Sequence, residues 1–505
     1  MAASPEHPNL LFIMTDQQRF DALSCHGGWI QTPHLDRLAA EGVDLRGHFA
    51  QAPVCVPSRC SLFSGRYGHG HGVLENDGRL GAHEAHLFKV LRQQGYHLTY
   101  SGKNHLLPES EMIANFDGYD SHGPERAEEP NRAAYLALER RSMKKLFSGN
   151  SHDSGEYHDF PDEVTGSGVI AAETKRHLRA APADQPWCVV TSFSDPHVPH
   201  LAPRRFESLY SQEAIPLPEW DESELNSKHP RVRVKRGAQG SATADEADRR
   251  RYLSIYGSMC SFVDELIGGI VATLRERPDA ARTMIVFVSD HGDFCWHHGL
   301  VKKDLLLYDD LLHVPTLIHW PEQLQPQVIR QTLSEHVDIL PTILELAGIV
   351  PPPVCQGRSL VPLLRGETAS HRDEIHAEVC YPEMRSAYRS AQEFRAAWEA
   401  DQLSGGPLAN SAPFNVPGDH TKCVRTTRWK YIWFGDGFEE LYDVQEDPDE
   451  AHNLAAEPEF TAVINDLRKR LADWLRVTAD DRSESDRQEV INAYDQWDHD
   501  LADSR

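Results

Sequence analysis

Three mostly apolar runs, each leading directly into acidic or histidine residues, limit the folds open to this chain of 505 residues. The runs lie at 9–14, 187–193 and 283–288. Such runs are typical of strands buried on both faces of a parallel sheet. Acidic or histidine residues follow at their carboxyl ends: Asp16, Asp195, His197, Asp290 and His291. Because open α/β sheets bind ligands beyond the carboxyl ends of their strands, these endings predict a single polar cleft.

Helical patterns alternate with the apolar runs. A fourth candidate strand lies at 314–320, and helical patterns lie at 34–41, 87–94, 164–179, 251–276 and 338–346. Strands that alternate with helices predict an α/β fold with a large central, mostly parallel sheet and helices on both of its faces.

The character of the chain changes in its last quarter. Segments 424–434 and 439–444 predict two antiparallel strands joined by a glycine-containing turn at 435–437. A helical pattern follows from about 459 to 476. These elements predict a small α+β unit with an antiparallel sheet.

We therefore predict two domains, an α/β domain over residues 1–370 and a C-terminal subdomain over 371–505. Stretches 207–244 and 381–417 are rich in proline, charge and small residues, and are predicted to be long surface excursions. The acidic tail beyond Ala479 is predicted to be either a poorly ordered end or an arm that reaches a neighbouring subunit.

The formal net charge of −26 argues against a nucleic-acid partner and against an anionic membrane partner, because the field of the whole protein would repel both. The same charge constrains an enzyme for anionic substrates. Its site would have to concentrate positive charge locally against an unfavourable overall field.

The N-terminal residues lack the basic and apolar regions of a secretory signal, and the run at 10–14 is too short to span a membrane. The protein is therefore expected to be cytoplasmic. The nine cysteines are odd in number and contain no C-x-x-C pair, which indicates neither a disulfide framework nor a thiolate zinc site.

The segment around Cys55 carries the most specific motif. Cys55 is followed by Pro57 and Arg59 in a C-x-P-x-R pattern, and a Ser-Gly-Arg turn follows at 64–66. By itself, Cys55 could be a buried packing residue, since cysteine is among the residues most often found inside proteins. The combined pattern, however, resembles the signature of the formylglycine-dependent sulfatases in the alkaline phosphatase superfamily.

This resemblance implies that Cys55 is oxidised after translation to formylglycine by a formylglycine-generating enzyme. The hydrated aldehyde is then the nucleophile. A sulfate ester of serine or cysteine turns over poorly, whereas a geminal diol can attack with one hydroxyl and expel sulfate with the other. Cys55 is accordingly interpreted as a precursor and not as a thiol catalyst.

Two residue pairs are candidate metal ligands: Asp16 with Gln17, and Asp290 with His291. Carboxylate and amide oxygens suit a hard divalent cation, and an imidazole shifts the preference toward Mn²⁺ or another borderline metal. Either aspartate could instead cap a helix. The resemblance implies one divalent ion, Ca²⁺ or Mn²⁺, held by these four residues and Cys55. Gln17 departs from the Asp-Asp pair of most sulfatases and resembles the phosphonate monoester hydrolase and choline sulfatase branches.

The resemblance also covers residues that bind charge or transfer protons. It implies that Arg59 and Lys103 hold the nucleophile and the sulfate, and that His105 takes the hydroxyl proton that triggers sulfate release. His197 is implied to protonate the departing alcohol, and Lys303 to contact the same leaving oxygen. Taken singly, the lysines could be solvated surface charges and His105 a core histidine.

Asn76 lies where the phosphonate hydrolase and choline sulfatase branches place a substrate-binding asparagine. Together with Lys103, His197 and Lys303, it completes the implied substrate-binding set. The remaining histidine pairs, His69 with His71 and His297 with His298, are interpreted as locally hydrogen-bonded and not as catalytic.

The leading hypothesis is a sulfatase that hydrolyses an organic sulfate monoester to an alcohol and inorganic sulfate, and that forms a homo-oligomer. The alternative is a phosphonate monoester hydrolase or phosphodiesterase that uses the same site. Gln17, Asn76 and His291 favour this alternative, while the Lys103 and His105 pair favours sulfate. A third hypothesis, from another class, is a non-catalytic protein with a relic site.

Overall fold

The computed structural model describes residues 7–121, 130–146, 151–380 and 420–478. Within these ranges the β-strands are β1 (Asn9–Asp16), β2 (Val43–Leu45), β3 (His48–Phe49), β4 (His97–Gly102), β5 (Gly118–Asp120), β6 (Glu156–His158), β7 (Trp187–Pro196), β8 (Leu201–Pro203), β9 (Thr283–Ser289), β10 (Thr316–His319), β11 (Gln327–Ile329), β12 (Ser334–Glu335), β13 (Glu374–Cys380), β14 (His420–Thr426), β15 (Trp429–Trp433) and β16 (Glu439–Asp443).

The α-helices of the same ranges are α1 (Pro33–Glu41), α2 (Cys55–Ser64), α3 (Gly68–His71), α4 (Leu87–Gln93), α5 (Glu109–Asn115), α6 (Pro130–Leu146), α7 (Gly166–Ala180), α8 (Pro230–Ala238), α9 (Glu246–Arg275), α10 (Asp309–Leu312), α11 (Ile339–Leu346), α12 (Val361–Leu364) and α13 (Thr461–Thr478).

Eight strands form one central sheet in the order β11-β2-β10-β9-β1-β7-β4-β5. The central strand β1 runs parallel to both β7 and β9, and β4 runs parallel to β7 and β5. The predicted α/β fold with a mostly parallel sheet is confirmed. The strand predicted at 314–320 forms as β10, but it is antiparallel to both β9 and β2.

The sheet is covered on both faces, as its apolar strands require. Alternate residues of β1 enter two different cores: Phe12 packs in the core that contains α2, α4 and α11, and Leu11 packs in the core that contains α1, α7 and α9. Both side chains are fully buried. Successive side chains of a strand point to opposite faces, so a continuous apolar run is what a strand between two helical layers needs.

Strand β4, which lies between β7 and β5, is absent from the strands predicted from the sequence. Its residues alternate between apolar and polar, with Thr99 and Ser101 in the strand, and this pattern is typical of a half-exposed strand. Both polar side chains are nevertheless buried. The strand ends directly before Lys103, so the omission left one site residue without a structural element.

The C-terminal unit is a four-stranded antiparallel sheet in the order β13-β14-β15-β16, against which α13 packs. The prediction of one strand over 424–434 is wrong, because the chain turns between β14 and β15. The Thr426 hydroxyl accepts hydrogen bonds from the backbone N–H groups of Arg428 and Trp429 and stabilises this turn. The domain boundary near residue 370 stays a prediction.

The predicted surface excursion at 207–244 is partly packed into the protein. It contains α8, and Lys228 is buried with its ammonium group 4.4 Å from the ring centre of Tyr308 and 4.8 Å from that of Tyr442. The segment therefore packs between the residue before α10 and strand β16 of the C-terminal sheet. The excursion predicted at 381–417 and the tail beyond Ala479 lie outside the described residues.

Helix α9 is long and apolar enough to cross a membrane by length and composition alone. However, 72% of its most apolar stretch of 18 residues is buried inside the protein. It packs against α7 and β7, and Val263, Ile267 and Ile270 lie in the core on that face of the sheet. Such burial is typical of the core helix of a folded domain.

Candidate active site

Cys55 is the first residue of α2 and is 1% exposed. Pro57 fits in the first turn because backbone N–H groups there have no intrahelical acceptor. At the other end, Gly65 adopts a left-handed conformation with φ of 68°. A Cβ atom at that position would lie 2.7 Å from the Cys355 sulfur, so both conformation and space favour glycine. The motif therefore encodes a short helix that presents Cys55 at its N-terminus.

Three ligand-type side chains converge on Cys55 from neighbouring strands. The Cys55 Sγ atom lies 3.6 Å from Asp16 Oδ1, at the end of β1, and 3.4 Å from His291 Nε2, beyond β9. The ligand atoms of Cys55, Asp16, Asp290 and His291 all lie within 4.8 Å of one another, and all four residues are buried. The cleft predicted at the carboxyl ends of the strands is therefore the place where these residues meet.

Arg59 ties the two aspartates together from the same face of α2 as Cys55, one turn further along the helix. Its Nε donates to Asp290 Oδ2 at 2.8 Å, and its Nη2 donates to Asp16 Oδ2 at 2.8 Å. The third nitrogen, Nη1, donates to Ser192 Oγ at 2.8 Å. With 0% exposure, the guanidinium fork fixes both carboxylates in the positions they would need as ligands.

Two lysines add the local positive charge that the acidic protein needs here. Lys303 Nζ lies 2.7 Å from Cys55 Sγ, and Lys103 Nζ lies 3.6 Å from the same sulfur. Burial and Asp16 raise the pKa of the Cys55 thiol, but the lysines and His291 outweigh them and bring it well below its usual value. The pocket thus stabilises negative charge at position 55.

The electrostatic balance differs between the two aspartates. Burial raises the pKa of Asp16, but Lys103, Lys303, His197 and Arg59 together lower it well below its usual value. Burial, followed by repulsion from Asp16, raises the pKa of Asp290. Two carboxylates share this buried pocket, so an added cation between them would lower the free energy of the pair.

His197 follows β7 and reaches the same pocket. Its Nδ1 donates to the Val198 carbonyl oxygen at 2.6 Å, and its Nε2 lies 3.9 Å from Asp16 Oδ1. Burial, followed by Lys303 and Lys103, lowers the pKa of His197 to about 4. A pKa this low leaves the imidazole neutral at neutral pH.

His105 and Asn76 lie at the edge of the site. His105 has a φ of 51°, and its buried Nδ1 has no hydrogen-bond partner among the described residues. Burial lowers the pKa of His105, with Lys103 acting in the same direction. The exposed Asn76 accepts a hydrogen bond from the Val56 N–H at 3.0 Å, which caps α2 beside Cys55. The structure thus brings together all the predicted site residues; their catalytic roles stay predictions.

The residues present fit a divalent cation. His291 Nδ1 donates to the Gly292 carbonyl oxygen at 2.9 Å, so its Nε2 faces the carboxylates. Gln17 has a φ of 70°, and its backbone N–H donates to Asp290 Oδ1 at 3.1 Å. The Gln17 Oε1 atom is buried and has no hydrogen-bond partner in the described structure. Carboxylate oxygens, an imidazole nitrogen and an amide oxygen without a hydrogen-bond partner are together a ligand set that suits a divalent cation.

The backbone carbonyl of Asp290 is held by residues that the sequence analysis missed. It accepts from the Ser58 hydroxyl and, at 3.3 Å, from His336 Nε2. His336 Nδ1 lies 2.9 Å from His48 Nε2, and His48 Nδ1 lies 2.9 Å from the Ser334 hydroxyl. Burial lowers the pKa of His336 to about 3, so this chain of hydrogen bonds is neutral. No sequence signal distinguishes these histidines from others in the chain.

The interpretation of local hydrogen bonding is right for His71 but wrong for His69 and His298, whose partners lie 309 and 74 residues away in the chain. His69 Nδ1 lies 2.7 Å from Glu378 Oε1, and His71 Nε2 lies 3.0 Å from the Ser61 hydroxyl. His298 Nδ1 lies 3.3 Å from Glu224 Oε2. These contacts join the C-terminal sheet, α2 and the 207–244 segment to the main domain, outside the pocket around Cys55.

Comparison with known families decides the identity of this arrangement. The sulfatase family model matches residues 8–349, which is more than half of the chain. The chain belongs to the sulfatase family. A second family model, described as N-sulphoglucosamine sulphohydrolase, C-terminal, matches residues 414–477. The two matches cover the main sheet and most of the C-terminal sheet.

Individual sulfatases and related enzymes match along nearly the whole chain. An uncharacterized sulfatase, YidJ, from Escherichia coli is 28% identical, with 93% of this chain and 87% of that protein covered. An arylsulfatase from Clostridium perfringens is 27% identical, covering 92% and 93%. The crystal structure of a phosphonate monoester hydrolase from Agrobacterium radiobacter has a TM-score of 0.72 and 25% identity, covering 92% and 95%. Sulfatase relatives of this kind are hydrolases of sulfuric esters.

Proposed function

We propose that this protein hydrolyses an organic sulfate monoester to an alcohol and inorganic sulfate, with formylglycine derived from Cys55 as the nucleophile and one divalent cation as cofactor. The observation that carries the proposal is the position of Cys55 Sγ, 3.6 Å from Asp16 Oδ1, 3.4 Å from His291 Nε2 and 2.7 Å from Lys303 Nζ. A nucleophile at this point lies between the carboxylates and the lysines.

Two groups would supply chemistry beyond that of unmodified side chains. Formylglycine at position 55 would offer one hydroxyl for attack on sulfur and a second for expulsion of sulfate. A divalent cation held by Asp16, Gln17, Asp290 and His291 would draw electron density from a substrate oxygen and orient the nucleophile. Lys103 and Lys303 would bind the remaining sulfate oxygens, and such electrostatic stabilisation is usually the largest contribution to rate.

The proton transfers fall to two histidines that follow β7 and β4 in the chain. His197 would protonate the bridging oxygen as the alcohol leaves, and Lys303 would stabilise the charge on the same atom. Burial, followed by Lys303 and Lys103, lowers the pKa of His197; a bound sulfate ester would offset the charges of the two lysines and so raise this pKa. His105, whose Nδ1 has no partner among the described residues, would take the hydroxyl proton that releases sulfate.

Replacing His197 by alanine is expected to lower turnover more for substrates with poor leaving groups than for substrates with good ones. Positioned proton transfer typically contributes about 10²–10⁴-fold, so we expect a loss of that order for alkyl sulfates, whose alkoxides are poor leaving groups. Sulfates of activated phenols need no proton and should lose much less. Measuring kcat across a series of leaving groups checks this, and equal losses throughout the series would contradict a general acid at His197.

Asp290→Asn is expected to weaken cation binding by more than about 100-fold, beyond the 10–100-fold typical of residues that only orient a ligand. The substitution removes a buried carboxylate that faces His291 and is held by Arg59. Elemental analysis after dialysis and calorimetric titration with Mn²⁺ measure the change. Asp77→Asn, at an exposed position, is the control and should keep full metal content. Unchanged metal content in Asp290→Asn would remove this ligand from the site.

A phosphonate monoester or phosphodiester substrate is the second candidate. Gln17 and His291 at the cation site, and the structural likeness to a phosphonate monoester hydrolase, favour it. Sulfate and phosphonate esters are both tetrahedral oxyanions, so one pocket can accept both. The two candidate functions are ranked by comparing turnover of an aryl sulfate with turnover of phenyl phenylphosphonate. The enzyme for this test is produced together with a formylglycine-generating enzyme. An untouched aryl sulfate beside a hydrolysed phosphonate would reverse the order.

Mass spectrometry of the peptide that contains Cys55 tests the maturation proposal. Conversion to formylglycine exchanges a thiol for an aldehyde and lowers the mass, whereas a relic site would keep cysteine even beside an active maturation enzyme. The cytoplasmic location and the homo-oligomeric state expected from the sequence stay predictions. Cell fractionation and analytical ultracentrifugation would check them.

A further inference from the structure

We propose that Asp293 is a positioning residue that fixes the orientation of the Gln17 side-chain amide, so that the carbonyl oxygen of Gln17 faces the cation site. The proposal rests on the cation site of the proposed function and extends it by one residue outside the ligand set. Asp293 follows His291 by two positions and is 0% exposed.

The contact between the two side chains has a defined polarity. Gln17 Nε2 lies 2.5 Å from Asp293 Oδ2, and a carboxylate oxygen can only accept. The NH₂ end of the amide must therefore face Asp293, and the carbonyl oxygen must point the other way. That oxygen, Oε1, is the buried atom that has no partner among the described residues. The backbone N–H of Gln17 donates to Asp290 Oδ1, so the backbone from which the Gln17 side chain extends is itself in contact with a candidate cation ligand.

Asp293 is itself held in place as an acceptor. Its Oδ1 accepts from the Cys295 N–H at 2.7 Å, and the Tyr252 hydroxyl lies 3.4 Å from both carboxylate oxygens. No ion pair to Asp293 occurs in the described part of the chain, so this buried carboxylate has no cationic side chain in direct contact. A buried charge of this kind is costly unless a counter-charge lies nearby, and a divalent cation on the far side of Gln17 would supply one.

An amide at position 293 cannot replace the Asp293 carboxylate as a hydrogen-bond acceptor on both sides. Both oxygens of Asp293 face N–H donors, Gln17 Nε2 on one side and the Cys295 N–H on the other. Asparagine can accept from only one of them, so its own NH₂ group must face the other donor. Turning the Gln17 amide over relieves this conflict, because Oε1 then accepts from the NH₂ group introduced by Asp293→Asn. The turned amide would present N–H donors to the cation.

The proposal is tested by titrating the metal-free, full-length protein with Mn²⁺. The electron paramagnetic resonance signal of free Mn²⁺ reports how much of the ion is bound, so no activity needs to be measured. For Asp293→Asn we expect binding about 10–100-fold weaker than for the parent, as is typical when a residue that orients a metal ligand is changed. Tyr252→Phe is the matched control in the same cluster. It removes the long contacts to Asp293 and the acceptor of the Lys302 N–H, but leaves the bond between Gln17 and Asp293 intact, and should bind Mn²⁺ as the parent does.

Exchanging the amide and the carboxylate between positions 17 and 293 distinguishes loss of side-chain orientation from general damage to the site. In the double variant Gln17→Glu with Asp293→Asn, the new asparagine donates to the new glutamate and still accepts from the Cys295 N–H. Total charge and hydrogen-bond count are kept, and one glutamate oxygen still faces the cation. We expect the double variant to bind Mn²⁺ more tightly than either single variant. Asp293→Asn alone turns the N–H groups of Gln17 toward the cation, and Gln17→Glu alone sets a carboxylate against Asp293.

The outcomes are distinguishable. A parent that binds neither Mn²⁺ nor Ca²⁺ overturns the cation site and, with it, the role of Asp293. A parent that binds, with a folded Asp293→Asn variant that binds equally well, overturns the role of Asp293 alone. If thermal unfolding shows that Asp293→Asn does not fold, the double variant decides. A double variant that binds Mn²⁺ as tightly as the parent supports the proposal. A folded double variant that no longer binds Mn²⁺ overturns it.

Discussion

Cys55→Ala is expected to abolish sulfate release. Loss of a covalent nucleophile costs on the order of 10⁴–10⁶-fold in kcat when the surrounding groups cannot replace it, and no other described side chain occupies the point between Asp16, His291 and Lys303. Sulfate production measured by ion chromatography, with an aryl sulfate as substrate, checks the loss. The small side chain should leave the fold intact, which a thermal unfolding curve would show.

Cys55→Ser is the informative partner variant. Serine that is not oxidised keeps one hydroxyl where the formylglycine hydrate has two, so it can be sulfated but has no second hydroxyl to expel the sulfate. We expect at most one equivalent of alcohol per enzyme molecule and no continued turnover. Sustained turnover by Cys55→Ala would end the nucleophile assignment, whereas multiple turnovers by unoxidised Cys55→Ser would contradict the need for a geminal diol.

Arg59→Ala is expected to lower the free energy of unfolding of the metal-free protein by about 3–5 kcal/mol, the usual cost of removing one partner from a buried ion pair. Arg59 donates to both Asp16 and Asp290, and all three side chains are 0% exposed, so its loss leaves two buried carboxylates with less compensation. Urea unfolding in the presence of a chelator measures the change. A bound cation should restore part of the lost stability, because it would neutralise the same carboxylates.

Arg37→Ala provides the contrast for this prediction. Arg37 pairs with Glu41 at 2.7 Å, but its side chain is 64% exposed, and solvent screens such a pair. Its loss is expected to change stability by no more than about 1 kcal/mol. Equal effects of the two substitutions would mean that the buried triad of Arg59, Asp16 and Asp290 is worth no more than a surface pair.

Some parts of the site follow from local sequence alone. The C-x-P-x-R motif and the Ser-Gly-Arg turn single out Cys55 and Arg59 in the sequence, although the helix α2 that carries both is not among the predicted helices. Asp16 and Asp290 directly follow apolar runs, and the ends of parallel neighbouring strands meet at one edge. These predictions needed only chain periodicity and the geometry of parallel sheets.

Other parts could not be predicted, because they depend on what packs against a segment. Thr99 and Ser101 look exposed by their alternation with apolar residues, yet α7 packs against β4 and both side chains are buried. The turn between β14 and β15 has no glycine or proline, and Thr426 stabilises it through its side chain. Lys228 looks like a surface charge, but two tyrosine rings enclose its ammonium group.

The sequence by itself determined the α/β architecture, the family motif and the residue types that meet in the pocket, since these depend on periodicity and on spacing within single elements. Only the tertiary structure decided which atoms face each other: that Lys303 lies beside Cys55, that His336 holds the Asp290 carbonyl, and that Asp293 contacts the NH₂ end of the Gln17 amide. The physical reason is that a hydrogen bond between distant residues depends on side-chain rotamers and on burial, which are set when the elements pack together.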